Sequence, residues 1–309
     1  MLTNQELSAV TDLTQRFQFI RKIGEGGMSN VYLALDFSRG RQVAVKVLKE
    51  QLKLNPEMSQ RFSFEAKIMA KSRHPGIVRL FEQHHDTNQL SYLIMEHLDG
   101  MQLQSILSDP SLLPLVNKVI IFEQIISAIC FLHSLKVIHR DLKPTNVIVV
   151  PDISVPGGVR AKIIDFGIAK FTEVDPLDPP PVTAHGMVMG TPVYMAPEQC
   201  LEPTAVSWRC DIYSVGVMLY QGIVGRLPYS GSRSQLLVQS LRKELPQLTT
   251  IAHDIDPTLS TLIHRMTAHD LLLRPTHEEI LQGFQHYIKT HLSAVVGPRF
   301  DAARHSQSA

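Results

Sequence analysis

The stretch that decides the fold is HRDLKPTN, residues 139–146. It gathers an imidazole, a guanidinium, a carboxylate, an ammonium and an amide directly after the apolar pair Val137-Ile138. Strand-like VIVV (147–150) follows, and KIIDFGIAK (162–170) comes soon after. Taken singly, an aspartate in a loop is usually a cap or a turn residue. Several unlike polar groups packed between apolar segments, with a second aspartate at 165, suggest a loop built for chemistry.

Upstream, IGEGGMSNVYLA (23–34) is rich in glycine. Gly24, Gly26 and Gly27 let backbone N–H groups approach phosphate oxygens with no Cβ in the way. A glycine turn alone is weak evidence, because a flexible hairpin reads the same. A dinucleotide fold needs the glycines to open a helix. Here Val31, Leu33 and Leu35 alternate after them, so the turn leads into a strand. Next comes RQVAVKVL (41–48), where Val43, Val45 and Val47 face one side and Ala44, Lys46 and Leu48 the other. A lone strand lysine is usually a solvated edge charge. Lys46, however, is followed by Glu65 on an expected helix over Pro56–Ser72, with Phe62 and Met69 at helical spacing. An ammonium drawn into an apolar cleft needs a carboxylate and anionic ligands to offset desolvation, and ATP phosphates would serve.

The bulk numbers frame these motifs. The chain has 309 residues, more than a typical single domain of about 100–200, so one two-part unit or two domains is expected. Hydrophobic residues make up 44%, enough for a substantial core. Lys plus Arg is 30 and Asp plus Glu is 29, a balance that argues against a nucleic-acid or membrane-surface binder. Cys130, Cys200 and Cys210 are too few for a disulfide framework and lack CxxC spacing, and His84-His85-Asp86 does not match a zinc pattern. No secretory signal is evident at the N-terminus. The apolar run Ile212–Val224 is short and interrupted, so it reads as a buried helix, with no membrane insertion expected. The reading is of a cytoplasmic protein. Residues 17–95 read mainly as strands with one helix, and the pattern turns helical beyond 100, with a core helix at Leu115–Leu135. VDPLDPPP (174–181) is a loop, and the last dozen residues read as a frayed tail.

The ordered set of glycine loop, Lys46, Glu65, Asp141, Asn146 and Asp165 is hard to obtain by chance. Asp141 is suited to accept a hydroxyl proton or orient the hydroxyl. Lys143 can neutralise a phosphate in transfer. Asn146 and Asp165 offer oxygen ligands to Mg²⁺. Together with APE at 196–198, these motifs resemble the eukaryotic-like (Hanks-type) protein serine/threonine kinases over about residues 17–284, most like bacterial members.

The resemblance implies an α+β bilobal fold. A strand-rich N-lobe with one helix (about 17–95) and a mainly helical C-lobe (about 99–284) would lie between an extension at 1–16 and a tail at 285–309. It implies transfer of the ATP γ-phosphate, with Mg²⁺ or Mn²⁺, to protein Ser/Thr hydroxyls, autophosphorylation included. Lys46, Glu65, Asp141 and Lys143 would be catalytic, and Asn146 and Asp165 would hold the metal. ATP would meet Ile23, Gly24, Glu25, Gly26, Gly27, Met28, Ser29, Val31, Ala44, Lys46, Met95, Glu96, His97, Leu98 and Ile148. Glu198 would pair with Arg274, and Asp211 would brace the catalytic loop. Met69, Leu80, His139 and Phe166 would form an apolar stack. One departure is Ser29, where many relatives carry a third glycine; a phosphate hydrogen bond is open to its hydroxyl.

Lys143-Pro144 and Gly190-Thr191 resemble serine/threonine rather than tyrosine kinases, and Thr191 would approach Asp141 and Lys143. Arg140, helped by Lys170, would receive a phosphorylated activation-segment residue, with Thr183 preferred over Thr172 and Thr191. Partners would be protein substrates and, by family likeness alone, forkhead-associated domains. A pseudokinase-type scaffold is the alternative. It normally lacks a counterpart of Lys46, Asp141 or Asp165, and none is missing. A small-molecule kinase usually lacks the full GTPVYMAPE segment present here.

Overall fold

The computed structural model describes residues 15–52, 55–85, 91–166, 170–171, 192–201 and 206–291. The chain divides into two compact units: Met1–Leu98 with Asp165–Met187, and Asp99–Ile164 with Val188–Ala309.

The first unit is an antiparallel five-stranded sheet. Its strands are β1 (Phe17–Glu25), β2 (Ser29–Asp36), β3 (Arg41–Leu48), β4 (Leu80–His85) and β5 (Ser91–Glu96), in the order β1-β2-β3-β5-β4. Alternation along β3 sorts its two faces. Val43, Val45 and Val47 join Phe17, Tyr32, Ala34, Tyr92 and Ile94 in one apolar cluster. The other face carries Ala44 opposite Met95, and Lys46 opposite Val31 and Leu93. Both faces are covered, since every residue from Val43 to Leu48 is buried.

Helix α1 (Pro56–Lys71) starts where Asn55 caps the amides of Glu57 and Met58, with Pro56 in the first turn where its missing N–H costs nothing. It lies against β4 and β5, burying Phe62, Phe64, Glu65, Ile68 and Met69.

The second unit is built on two buried helices, with α2 (Leu103–Ser108) packed beside the second of them. The first, α3 (Leu115–Ser134), is apolar and long enough to cross a membrane by length and composition alone, but most of it is buried inside the unit. It is therefore a core helix. Its Gln124 side chain donates to Val159 O at 3.0 Å and accepts from the Ala161 amide at 2.8 Å. Those bonds tie it to a small sheet of β6 (Met101–Gln102), β8 (Val147–Pro151) and β9 (Val159–Ile163); a short strand β7 (Val137–Ile138) leads into residues 139–146.

After α4 (Pro197–Leu201) comes the second buried helix, α5 (Arg209–Val224), enclosed from Cys210 through Gly222 and ended by Gly225 in the left-handed region. The chain continues through α6 (Arg233–Arg242), α7 (Pro257–Met266) and α8 (His277–Thr290). Capping boxes at Ser232/Gln235 and Thr276/Glu279 fix the starts of α6 and α8.

Three boundaries differ from the sequence expectation. Asp165 and Phe166 belong to the first unit rather than the helical one, because Lys46 and Glu65 bind them. Arg16, in the turn before β1, is tied to the sheet although it falls in the expected extension, since its guanidinium reaches Asp36 and Glu82 at 3.0 and 2.8 Å. The last helix runs past 284 to Thr290 because Tyr287 is still buried. The proline run 174–181 and the segment after 291 lie outside the described residues.

Gly100 stands where a Cβ would lie 2.3 Å from the backbone oxygen of Val149 on β8. That oxygen is fixed in the sheet, so Gly100→Ala must push the β6–β8 pairing apart. The expected loss is roughly 1–3 kcal/mol of stability, read from urea unfolding.

Candidate active site

The first unit brings three charged side chains together. Lys46 Nζ lies 2.5 Å from Glu65 Oε1 and 3.3 Å from Asp165 Oδ1. The backbone N–H of Phe166 also donates to the Glu65 carboxylate. Burial by itself would pull the Lys46 ammonium down, but Asp165 and Glu65 outweigh it and hold it well above the ordinary lysine range. Glu65 is pushed up by burial, with Lys46 opposing. Helix α1 thus delivers one carboxylate to the buried end of a strand lysine, while the Asp165 side chain stays 41% exposed.

Around this group, the glycine turn is closed by Gly26 N–H donating to Ser29 O at 2.8 Å. A Cβ on Gly27 would meet nothing within 4 Å, and one on Gly26 would make only ordinary contact, 3.6 Å from Ser29 O. Among the described residues nothing demands glycine at these two positions, and both are exposed, which leaves the outward room that a phosphate cradle requires. Ser29 is buried, which does not suit the phosphate bond expected of its hydroxyl: the residue is paired into β2 opposite Leu48. Glu25 is exposed and held by Lys22 and Lys49 at 2.7 and 3.2 Å. Ile23 is an exposed apolar side chain, Met28 and Val31 are half-buried, and Ala44 and Met95 are buried. At the end of β5, Glu96 accepts the Arg79 amide on its carboxylate at 2.8 Å and donates its own N–H to Arg79 O at 3.0 Å. This clasp fixes the start of Glu96–Leu98, whose side chains are half-buried.

The second unit folds residues 139–146 into a tightly bonded loop. Lys143 Nζ lies 2.6 Å from Asp141 Oδ2. The Asn146 amide nitrogen donates to Asp141 O at 2.9 Å, which leaves its side-chain oxygen for a cation. Asn146 O accepts the Ile164 amide at 3.0 Å, so Asn146 is anchored at both ends. Ile148, on β8, is half-buried. A carboxylate in the first unit and an amide oxygen in the second are each the kind of donor a hard divalent ion prefers, and within the first unit the buried ammonium with the open glycine turn fits a polyphosphate.

The loop is held from behind by Asp211, which accepts the amides of His139 and Arg140, each at 2.9 Å. Burial pushes the Asp211 carboxyl up, but the His133 hydrogen bond and these amides leave it below the ordinary range. Arg140 has φ +67°, a left-handed conformation that a side chain resists. Two carboxylate bonds and the Gln199 amide, donating to Arg140 O at 2.8 Å, impose it. The expected pair of Glu198 and Arg274 is bidentate, at 2.6 and 2.9 Å, and Arg274 is fully enclosed. Met69, Phe166 and His139 are buried and Leu80 is half-buried. Thr172, Thr183, Gly190 and Thr191 lie outside the described residues, as does the Lys170 side chain.

Sequence reasoning missed Gln199, the Arg16–Asp36–Arg39–Glu82 network and the histidines beside Asp211. Each depends on residues far apart in the chain, and no local spacing signals them.

The protein kinase domain family matches residues 17–286. PknA, a serine/threonine-protein kinase of Mycobacterium tuberculosis, is 37% identical over 255 residues, covering 81% of this chain and 56% of that protein. Pkn1 of Myxococcus xanthus is 37% identical over 261 residues, covering 84% of this chain and 36% of its own length. The chain thus spans about half the length of these relatives, or less. With the motif residues standing in their expected elements, the chain belongs to the protein kinase domain family, and its relatives are bacterial serine/threonine-protein kinases.

Proposed function

We propose that the chain is an ATP-dependent protein kinase that phosphorylates serine and threonine hydroxyls of proteins, its own included. The observation that carries the reading is the buried Lys46–Glu65 pair with Asp165 beside it, an ammonium kept charged and fixed in place on the covered face of the sheet. The relatives' names support the same reading.

Bound ATP with Mg²⁺, or Mn²⁺ in its place, supplies the transferable phosphoryl group and the charge that neutralises its oxygens. Lys46 holds phosphate oxygens, with Glu65 fixing the ammonium. The turn Gly24–Ser29 offers backbone N–H groups. Ala44, Val31, Ile23, Met95 and Ile148 give the adenine an apolar lining, and Glu96–Leu98 offer backbone polar groups to its edge. Asn146 and Asp165 would each offer the cation an oxygen. Asp141 would accept the hydrogen bond of the incoming hydroxyl, aim its oxygen at the γ-phosphorus and take up its proton as that O–P bond forms and the bond to the departing ADP breaks, while Lys143, 2.6 Å from Asp141, would stabilise charge on the phosphoryl group.

Arg140 is a half-buried guanidinium with no carboxylate at ion-pair distance among the described residues. It suits a phosphorylated Thr183, with Lys170 assisting. Substrates are cytoplasmic proteins, and forkhead-associated domains are the partner class; neither nucleic acid nor membrane insertion is part of the reading.

The test is incubation with labelled ATP and either Mg²⁺ or Mn²⁺, with and without a generic protein substrate, followed by phosphosite mapping. Label on serine or threonine, absent from Lys46→Met, is the expected result. Metal-dependent ATP binding with no labelled protein in any arm overturns it.

A further inference from the structure

Beside the bracing carboxylate, α3, α5 and α8 converge on a file of rings. His133 Nε2 lies 2.8 Å from Asp211 Oδ2, and His133 Nδ1 lies 2.7 Å from His277 Nε2. His277 is stacked on Trp208 with ring centroids 4.4 Å apart. The His133 side chain is 6% exposed and that of Asp211 is 0% exposed, so the inner end of the file is dry, while His277 and Trp208 are half-buried.

Both nitrogens of His133 are therefore committed. An ionised carboxylate only accepts, so Nε2 of His133 must carry a hydrogen. The contact between the two histidines holds one further hydrogen. Either His277 donates it to a neutral His133, or a protonated His133 donates it to His277. In both arrangements the Nε2–H of His133 points at Asp211. Two protonated rings cannot share this contact, and burial, with His133 and Arg209 nearby, holds His277 down at about 4. The charged and titratable groups facing the file are His139 and Arg140 of the loop, and Arg209, Cys210 and Asp211 of α5.

Asp211 in turn holds the amides of His139 and Arg140, and Arg140 sits in the strained left-handed conformation one residue before Asp141. We infer that His277 is a positioning residue for the catalytic loop: through its hydrogen bond to Nδ1 it holds the ring plane of His133, whose Nε2–H orients the Asp211 carboxylate that holds the loop at Arg140. The inference rests on the kinase reading only for its activity measurement.

The test compares His277→Phe, which keeps a ring on Trp208 but has no hydrogen bond to give, with His277→Gln, whose amide can donate to or accept from His133. Should His277→Phe fail to fold, His277→Met takes its place. The phenylalanine variant is expected to lose about 10- to 100-fold in kcat, with the KM for ATP little changed, and the glutamine variant to recover most of it. NMR is expected to show the imidazole ¹⁵Nδ1 signal of His133 moving in the phenylalanine variant as its hydrogen-bond partner is lost, with shifts in the His139 and Arg140 amides, and glutamine restoring both. A phenylalanine variant matching the wild type, or outperforming glutamine, overturns the proposal in favour of simple packing on Trp208. The NMR comparison decides the positioning role even if the wild type transfers no phosphate, which would count against the kinase reading alone.

Discussion

Asp141→Asn is expected to lower kcat by about 10²- to 10⁴-fold while leaving ATP affinity and folding close to wild type. The side chain is half-exposed and meets Lys143, while the backbone oxygen accepts from Asn146 and the backbone N–H donates to His139 Nδ1. Asparagine keeps the volume and leaves the backbone bond in place. It removes the negative charge that would draw the hydroxyl's hydrogen and that balances Lys143. The scaffold of the loop is untouched, because Asp211 grips His139 and Arg140 rather than Asp141. The measurement is phosphoryl transfer at saturating ATP beside nucleotide titration by calorimetry. A variant that retains more than about a tenth of wild-type kcat with normal binding would remove Asp141 from the role of hydroxyl acceptor.

The sequence made the first unit legible because its information is local. Period-two alternation in residues 41–48 sorted valines from Lys46, and the apolar cluster on one face of β3 bears that sorting out. The α1 start at Pro56 was marked by proline, and α3 by its long apolar run, although the same run also satisfies a membrane-span criterion that burial alone settles. The candidate site was legible through residue type and order. Its supports were not. Arg16 bonds Glu82 across the sheet, Gln199 bonds Arg140, and His277 reaches His133 from the far end of the chain. Such contacts join residues whose neighbours in sequence say nothing of them. Ser29 went astray for a related reason. A serine in place of a third glycine leaves a hydroxyl open to phosphate by residue type alone, but Ser29 begins β2, pairs with Leu48 and is buried. The assignment of Asp165 to the helical part followed chain order, whereas an ion pair to Lys46 decides which unit holds it.

Removing Glu65 is expected to separate stability from catalysis. In Glu65→Ala the Lys46 ammonium remains in a nearly closed site, its side chain 7% exposed, without the partner now 2.5 Å away. Breaking a buried pair from one side typically costs about 3–5 kcal/mol, because a desolvated charge is left uncompensated. Asp165, 3.3 Å from the same nitrogen, still offsets part of that, so the lower end, about 3 kcal/mol, is expected from urea unfolding. Phosphoryl transfer should fall about 100-fold as well, since the ammonium is free to turn toward Asp165 and away from the position Glu65 holds. The informative comparison is the double variant Lys46→Met/Glu65→Leu. Two apolar side chains of similar length suit the covered face of β3 and the buried face of α1, and such replacements are commonly neutral or stabilising by about 1–4 kcal/mol. Stability should return to the wild-type level or above it, while kinase activity stays lost. If instead the double variant is as unstable as Glu65→Ala, the pair is a structural strut, and the buried charge is retained for folding rather than for holding phosphate. If stability returns and activity does not, the cost of burying Lys46 and Glu65 is borne for the ligand, which is the physical signature of a site rather than of a core.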